Sequence, residues 1–404
     1  MKYILSAISL LIFTGAFAQK TQPITIGKTD SFHSAILNEQ REVLVYTPKS
    51  WNGVSRTDLY PVLYILDGKD FFHSVTGQVQ YLSSIGIMPE MIVVSVINTD
   101  RRRDLTPTHY TKWSDGEEDV AGLKNTGGGA KFTAFLQKEL LPRIDSLYPA
   151  APYRMFIGHS LGGLTVMNTL LHRPEIFNSY VAIDPTIWWD NNLMIRQAET
   201  MLAKKNYAGK KLFLATANTM NPGMDTSRVR RDTVHGNNNV RISFKFREVL
   251  AKNSSNQLDW EWKYYHDDNH ASIPLPAQYD AFRSFFRDFA LTKSLEDPSV
   301  DMNYIQDHYR RLSKSLGYTI LPPASTVNNL GYIALERKQY HKALQFFRMN
   351  IENHPTNFNW FDSLGDAYII MGDKQRAIEA IGKALSLKDY PEGQQKLKNL
   401  RSEK

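Results

Sequence analysis

The sequence predicts an α/β fold: a mostly parallel sheet covered by helices on both faces, followed by a small all-α tail. Three observations predict it. Short apolar runs recur between Glu42 and Tyr265, with helical-period segments between them. One run ends in a Gly-x-Ser-x-Gly turn that leads straight into a helical stretch. Near the end of the chain, two stretches repeat each other at an offset of 34 residues, from Leu330 to Leu364.

The elements follow in order. Met1-Lys2-Tyr3 and the apolar run Ile4–Phe17, closed by Ala16-Phe17-Ala18, read as a secretory signal peptide over residues 1–18, with cleavage expected after Ala18. The run is too short for a stable membrane span, and no later segment replaces it, so no membrane span is expected and the mature chain should be periplasmic or secreted. Glu42–Thr47 alternates like a strand and stops at Pro48. Tyr60–Leu66 and Met91–Ile97 are continuous apolar runs, as strands buried on both faces require. Phe132–Leu141 has helical spacing and leads to a strand at Arg154–Ile157. Tyr180–Ile183, Lys211–Ala215 and Trp260–Tyr265 are further strands, and Gln278–Phe289 reads as a closing helix.

Composition narrows the function classes. The 404 residues allow two domains and a large core. There is no cysteine, which excludes disulfides, a thiolate nucleophile and thiolate metal sites. The formal charge of +7 is scattered apart from Arg101-Arg102-Arg103, and no nucleic-acid module is recognisable, so no nucleic-acid partner is expected.

Tyr153–Gly163 carries the chemistry. A strand, a sharp turn bearing Ser160 and then a helix form the context of a nucleophile elbow, which defines the α/β-hydrolase fold. Gly158 and Gly162 keep side chains out of the bend. The Leu161 N–H opens the helix and points where a tetrahedral oxyanion would form. A serine hydroxyl needs an adjacent base, itself oriented by an acid. In this fold the order is Ser, acid, His. His270, between the last strand and the closing helix, is the expected base, with His266 its rival. Asp225, in the loop after the strand ending at Ala215, is the first candidate for the acid. Asp232 and Asp184 are the alternatives, and a Ser–His pair without a fixed acid stays open. Gly68 or Lys69, after the Tyr60–Leu66 strand, is expected to give the second oxyanion N–H. Trp188 and Trp189 are candidate walls of an aromatic or sugar subsite, and Arg103 a candidate contact for an anionic group. Gly127-Gly128-Gly129 lacks the lysine and spacing of a phosphate loop.

After about Thr292 the pattern changes. Residues 293–323 read as a connector. In residues 324–404, Leu330-Gly331, Ala343 and Phe347 recur as Leu364-Gly365, Ala377 and Ile381, the small residues sitting where two helices approach closely. This describes a pair of tetratricopeptide-like repeats plus a final helix, a surface suited to a protein or peptide partner. The hydrolase unit is expected over 19–292.

Tyr60–Gly68, Arg103–Pro107, Gly158–Gly163 and the Trp188-Trp189 pair resemble the "Putative esterase" (esterase D) family, over about residues 30–290. That family includes siderophore esterases of the enterobactin type, S-formylglutathione hydrolases, feruloyl and acetyl-xylan esterases, and mycolyl transferases. The closest overall likeness is to the siderophore-esterase-like branch. The resemblance implies Ser160 as nucleophile, His270 as base, and Leu161 with the post-strand turn as oxyanion hole. Many members carry Gly-x-x-Glu at the acid, where this chain has Ala217-Asn218 and then Asp225. The expected reaction is hydrolysis of a small-molecule or saccharide ester through an acyl-enzyme on Ser160, with no metal or organic cofactor. An acyltransferase using the same acyl-enzyme and a non-catalytic scaffold recruiting a partner through the repeats are the competing readings.

Overall fold

The computed structural model describes residues 23–402 apart from 52, 55–57 and 114, so the expected signal segment lies outside the described residues. Among the described residues, eight strands form one sheet: β1 (Lys28–Ser34), β2 (Glu39–Tyr46), β3 (Tyr60–Ile65), β4 (Ile92–Val96), β5 (Ala150–His159), β6 (Ser179–Ile183), β7 (Lys211–Ala217) and β8 (Asp259–Tyr265). Their spatial order is β1-β2-β4-β3-β5-β6-β7-β8. β1–β2 and β2–β4 pair antiparallel, and every pair from β4 across to β8 is parallel. Strand β1 was not among the sequence expectations; its alternation of exposed and half-buried residues is that of an edge strand.

Two hydrophobic layers sandwich the sheet. Successive residues of β5 point to opposite faces, so Phe156 joins one layer while Met155 and Ile157 join the other. The helices α1 (Gly68–Ser84) and α8 (Pro274–Phe285) cover one face. The other is covered by α3 (Gly129–Phe135), α4 (Leu141–Leu147), α5 (Leu161–His172), α6 (Trp189–Lys204) and α7 (Asn238–Lys252), while α2 (Arg101–Asp104) is a single turn between β4 and α3. The helix expected over Phe132–Leu141 widens into a π-helical turn at Leu136–Leu140 before α4. Pro142 cannot donate a main-chain hydrogen bond back into that turn, and Glu139 on it is held by Ser34 Oγ and the Ile36 N–H.

The segment read as a connector contains a helix of its own, α9 (Met302–Leu316). Ile305, Tyr309 and Leu312 pack with the tail, whereas Leu316, Tyr318 and Ile320 pack on the α1/α8 face of the sheet. Beyond it lie α10 (Ala324–Glu336), α11 (Tyr340–Asn353), α12 (Phe358–Met371), α13 (Lys374–Leu387) and α14 (Pro391–Ser402). A Cβ on Gly331 would sit 2.5 Å from the Phe347 ring, and one on Gly365 2.5 Å from Ile381 Cγ1. The repeat in the sequence is thus a repeat of the same close helix contact, between α10 and α11 and again between α12 and α13.

Candidate active site

The parallel strands end on one rim, where loops bring the reactive groups together. Ser160 sits between β5 and α5 with φ 60° and ψ −118°, a strained conformation for a residue with a side chain. Its N–H donates to Ile183 O at 3.0 Å, and its carbonyl accepts from Leu164 N at 3.0 Å and Thr186 N at 3.2 Å. The bend is therefore held from both sides while Oγ is left at the rim, 3.5 Å from Thr186 Oγ1. Gly158 is required here: a Cβ on it would lie 2.3 Å from the Gly162 carbonyl.

His270 Nδ1 hydrogen-bonds Asp184 Oδ2 at 2.5 Å. Asp184 follows β6, is only 1% exposed, and takes two more hydrogen bonds on Oδ1, from Ala217 N at 3.1 Å and Asn239 Nδ2 at 2.9 Å. A buried carboxylate needs such donors. This one also fixes the His270 tautomer, leaving Nε2 as the ring nitrogen able to accept a proton. The His270 loop is braced locally: Asn269 Oδ1 accepts from Ala271 N and Ser272 N, and Ser272 Oγ donates to Asp268 Oδ1. The loop is tied to the end of β7 by Asn218 N donating to Asp268 O at 2.8 Å. The His270 ring lies 4.4 Å, centroid to centroid, from that of His159, the residue before Ser160. Ser160 and the His270–Asp184 pair thus share one rim, the hydroxyl of Ser160 lying against that of Thr186.

The turn after β3 abuts the elbow. Asp67 adopts φ 57°, and its carboxylate receives Asn98 Nδ2 at 2.7 Å and both Arg101 Nε and NH2, at 2.6 and 3.0 Å. Arg101 NH2 also reaches His159 O at 3.4 Å, and a Cβ on Gly162 would lie 3.3 Å from Asp67 Oδ2. The Asp67–Arg101 ion pair thereby clamps the turn bearing Gly68 and Lys69 to the turn bearing Leu161. Gly68 itself has no room for a side chain, with Val96 main-chain atoms 2.8 Å from the position of a Cβ.

Other expectations are corrected. Asp225 does not meet His270: it is 51% exposed and bonds the Arg228 main-chain N–H and guanidinium, which together hold its carboxyl below the usual range. Asp232 instead accepts from Asn237 Nδ2 at 2.5 Å. His266 is exposed beside Asp267. Trp189 is fully buried, its Nε1 directed at Thr108 and its ring edge-on to Tyr110, so it builds the core rather than a subsite wall. Trp188 is half-buried on the same loop that carries Asp184 and Thr186, and remains at the rim. Arg103 is spent on an internal network: it grips both Glu39 oxygens and Asp104, and Arg41 joins the same two carboxylates. The sequence analysis does not single out Thr186, Asn239 or Asn98, and it names Arg101 only as part of the Arg101-Arg102-Arg103 cluster, not as the partner of Asp67. The Asp184-Pro185-Thr186 loop after a strand was a usable signal for Thr186, whereas nothing local marks Asn239 as the partner of a residue 55 positions away.

The family model described as "Putative esterase" matches residues 34–271. The chain belongs to this family. A tetratricopeptide-repeat model matches residues 362–390. Among relatives of this esterase family, the ferri-bacillibactin esterase BesA of Bacillus subtilis is 32% identical over 170 residues, which are 39% of this chain and 58% of that protein. The siderophore triacetylfusarinine C esterase of Aspergillus fumigatus is 22% identical over 147 residues, 36% of this chain and 50% of that protein. The chain thus spans little more than half the length of these curated relatives. The crystal structure of an IroE-like serine hydrolase from Shewanella oneidensis superposes with a TM-score of 0.67 at 28% identity, covering 81% of this chain and 99% of that one. Among the described residues, no helix is long and apolar enough to cross a membrane.

Proposed function

We propose that this chain is an exported serine esterase that cleaves siderophore-type esters through an acyl-enzyme on Ser160. The observation that carries the reading is a strained Ser160 on the rim that also bears the His270–Asp184 pair. Ser160 Oγ attacks the ester carbonyl and passes its proton to His270 Nε2, while Asp184 stabilises the imidazolium that forms. The Leu161 N–H and the turn at Gly68 and Lys69 receive the oxyanion, and the proton on His270 then goes to the departing alkoxide. Water, activated by the same imidazole, releases the acid. Siderophore esters are favoured over feruloyl and acetyl-sugar esters because BesA and the triacetylfusarinine C esterase act on siderophores. The signal-like start of the sequence supports export. Residues 19–292 are read as the catalytic unit, 293–323 as the connector and 324–404 as a helical unit offered to a protein or peptide partner.

The test is hydrolysis of a short p-nitrophenyl ester, a feruloyl ester, an acetylated sugar and a ferric trilactone siderophore by wild type and Ser160→Ala. Siderophore turnover that is fastest in wild type and absent from the variant is expected. Full turnover by the variant ends the serine mechanism, and preference for the sugar or feruloyl ester ends the substrate assignment.

A further inference from the structure

His159 occupies the variable position before the nucleophile, and nothing in the mechanism above uses it. Its ring is not simply filling space. It lies 4.4 Å from the His270 ring at an interplanar angle of 40°, meets Phe71 edge-on at 5.9 Å, and also faces the His270 main chain. Its Nε2 is buried with no hydrogen-bond partner. His270, by contrast, is 46% exposed, and its side chain is steadied by Asp184 at one nitrogen and flanked by the tilted His159 ring.

We propose that His159 is a positioning residue for His270: its flat, uncharged ring is the floor that keeps the base imidazole turned between Asp184 and Ser160. One hydrogen bond through Nδ1 leaves a ring free to rock about that bond, and a neighbouring ring centred 4.4 Å away restricts the freedom. The floor has to be uncharged, because His270 becomes an imidazolium during the reaction and a second cation at 4.4 Å would oppose it. Burial, reinforced by His270 itself, pulls the His159 pKa down to about 4, against the opposing pull of the Asp184 and Asp67 carboxylates. The other charged group nearby, Arg101, bonds the His159 carbonyl oxygen and is paired with Asp67.

This inference rests on the serine-esterase reading, and the experiment separates the two. His159→Phe and His159→Leu both put an uncharged, apolar side chain in the slot, but only phenylalanine keeps a flat face. The full chain and both variants, checked for folding by circular dichroism, are assayed for steady-state hydrolysis of p-nitrophenyl butyrate and for the rate of fluorophosphonate labelling. Expected for His159→Leu is a kcat lower by roughly ten- to a hundredfold, KM within about twofold, and labelling slowed in parallel. Expected for His159→Phe is kcat within about threefold of wild type. If wild type labels and turns over while folded His159→Leu matches it, or if the two variants are equally impaired, the inference is overturned and the esterase reading stands. A wild-type chain that neither labels nor turns over overturns both.

Discussion

The rim that bears Ser160 and the helical tail handle difficult backbone geometry in opposite ways. At the rim, positive φ angles fall on residues with side chains: Asp67, Ser160, Asp184, and the successive Asp190, Asn191 and Asn192. In the α9–α13 segment, Gly317 and Gly372 take the left-handed positions that end α9 and α12, with Lys338 the exception. Each strained non-glycine costs about 1–3 kcal/mol and persists only where its surroundings over-determine it. The rim supplies that through hydrogen bonds to Ser160, Asp67 and Asp184, whereas the tail avoids the cost by choice of residue. The difference is between turns held in place by groups from other elements and helix ends that need no such support.

That contrast is open to direct attack, beginning at the rim. Ser160→Ala should lower kcat for a short ester by about 10⁴-fold or more while thermal unfolding stays within a few degrees of wild type. Asp184→Asn should lower kcat by on the order of 10³- to 10⁴-fold, since the amide can no longer hold the His270 tautomer; retention of activity would show that the pair is a structural contact. His159 gives the contrast a pH axis. It binds its proton with a pKa of about 4 when folded, against 6.5 in the unfolded chain, so folding stability is intact above pH 6.5 and falls as the pH drops towards 4. The loss attributable to His159 is on the order of 3 kcal/mol. Urea unfolding at pH 7 and pH 4.5 should register it in wild type and show it reduced in His159→Phe.

The tail should respond in the reverse sense. Gly331→Val presses methyl groups into the Phe347 ring and should cost about 1–3 kcal/mol, read as a lower urea midpoint, with kcat for a short ester within about twofold. A large fall in kcat would mean that the tail packing governs the rim. The smallest effect is expected from Asp225→Asn, whose carboxylate serves only a solvent-exposed turn, and ester turnover should stay within about twofold.

The sheet was legible because its strands are written as apolar runs, and the repeat because small residues must recur where helices touch. Ser160 and His270 were legible for a related reason: each sits at a fixed place relative to an element that can be seen in the sequence. The acid was not. Asp184 and Asp225 both follow strands, and what separates them is the set of groups that converge on Asp184 from afar, the Ala217 N–H and Asn239. Trp189 and Arg103 failed for the same reason. Their burial and their partners, Thr108 and Glu39, come from other elements, and no local pattern announces those meetings.

Because the carboxylate that bonds His270 stands after β6, the chain between Ala217 and Asn238 contributes neither member of that pair. Its Asp225–Arg228 pair faces solvent, while Asn218 N donates to Asp268 O and Val229 is buried against Val240 and Phe244. Such a segment is anchored at a few buried points and exposed between them. New side chains at its exposed positions can therefore come and go while the hydrogen bonds that hold His270 and Asp184 together stay in place.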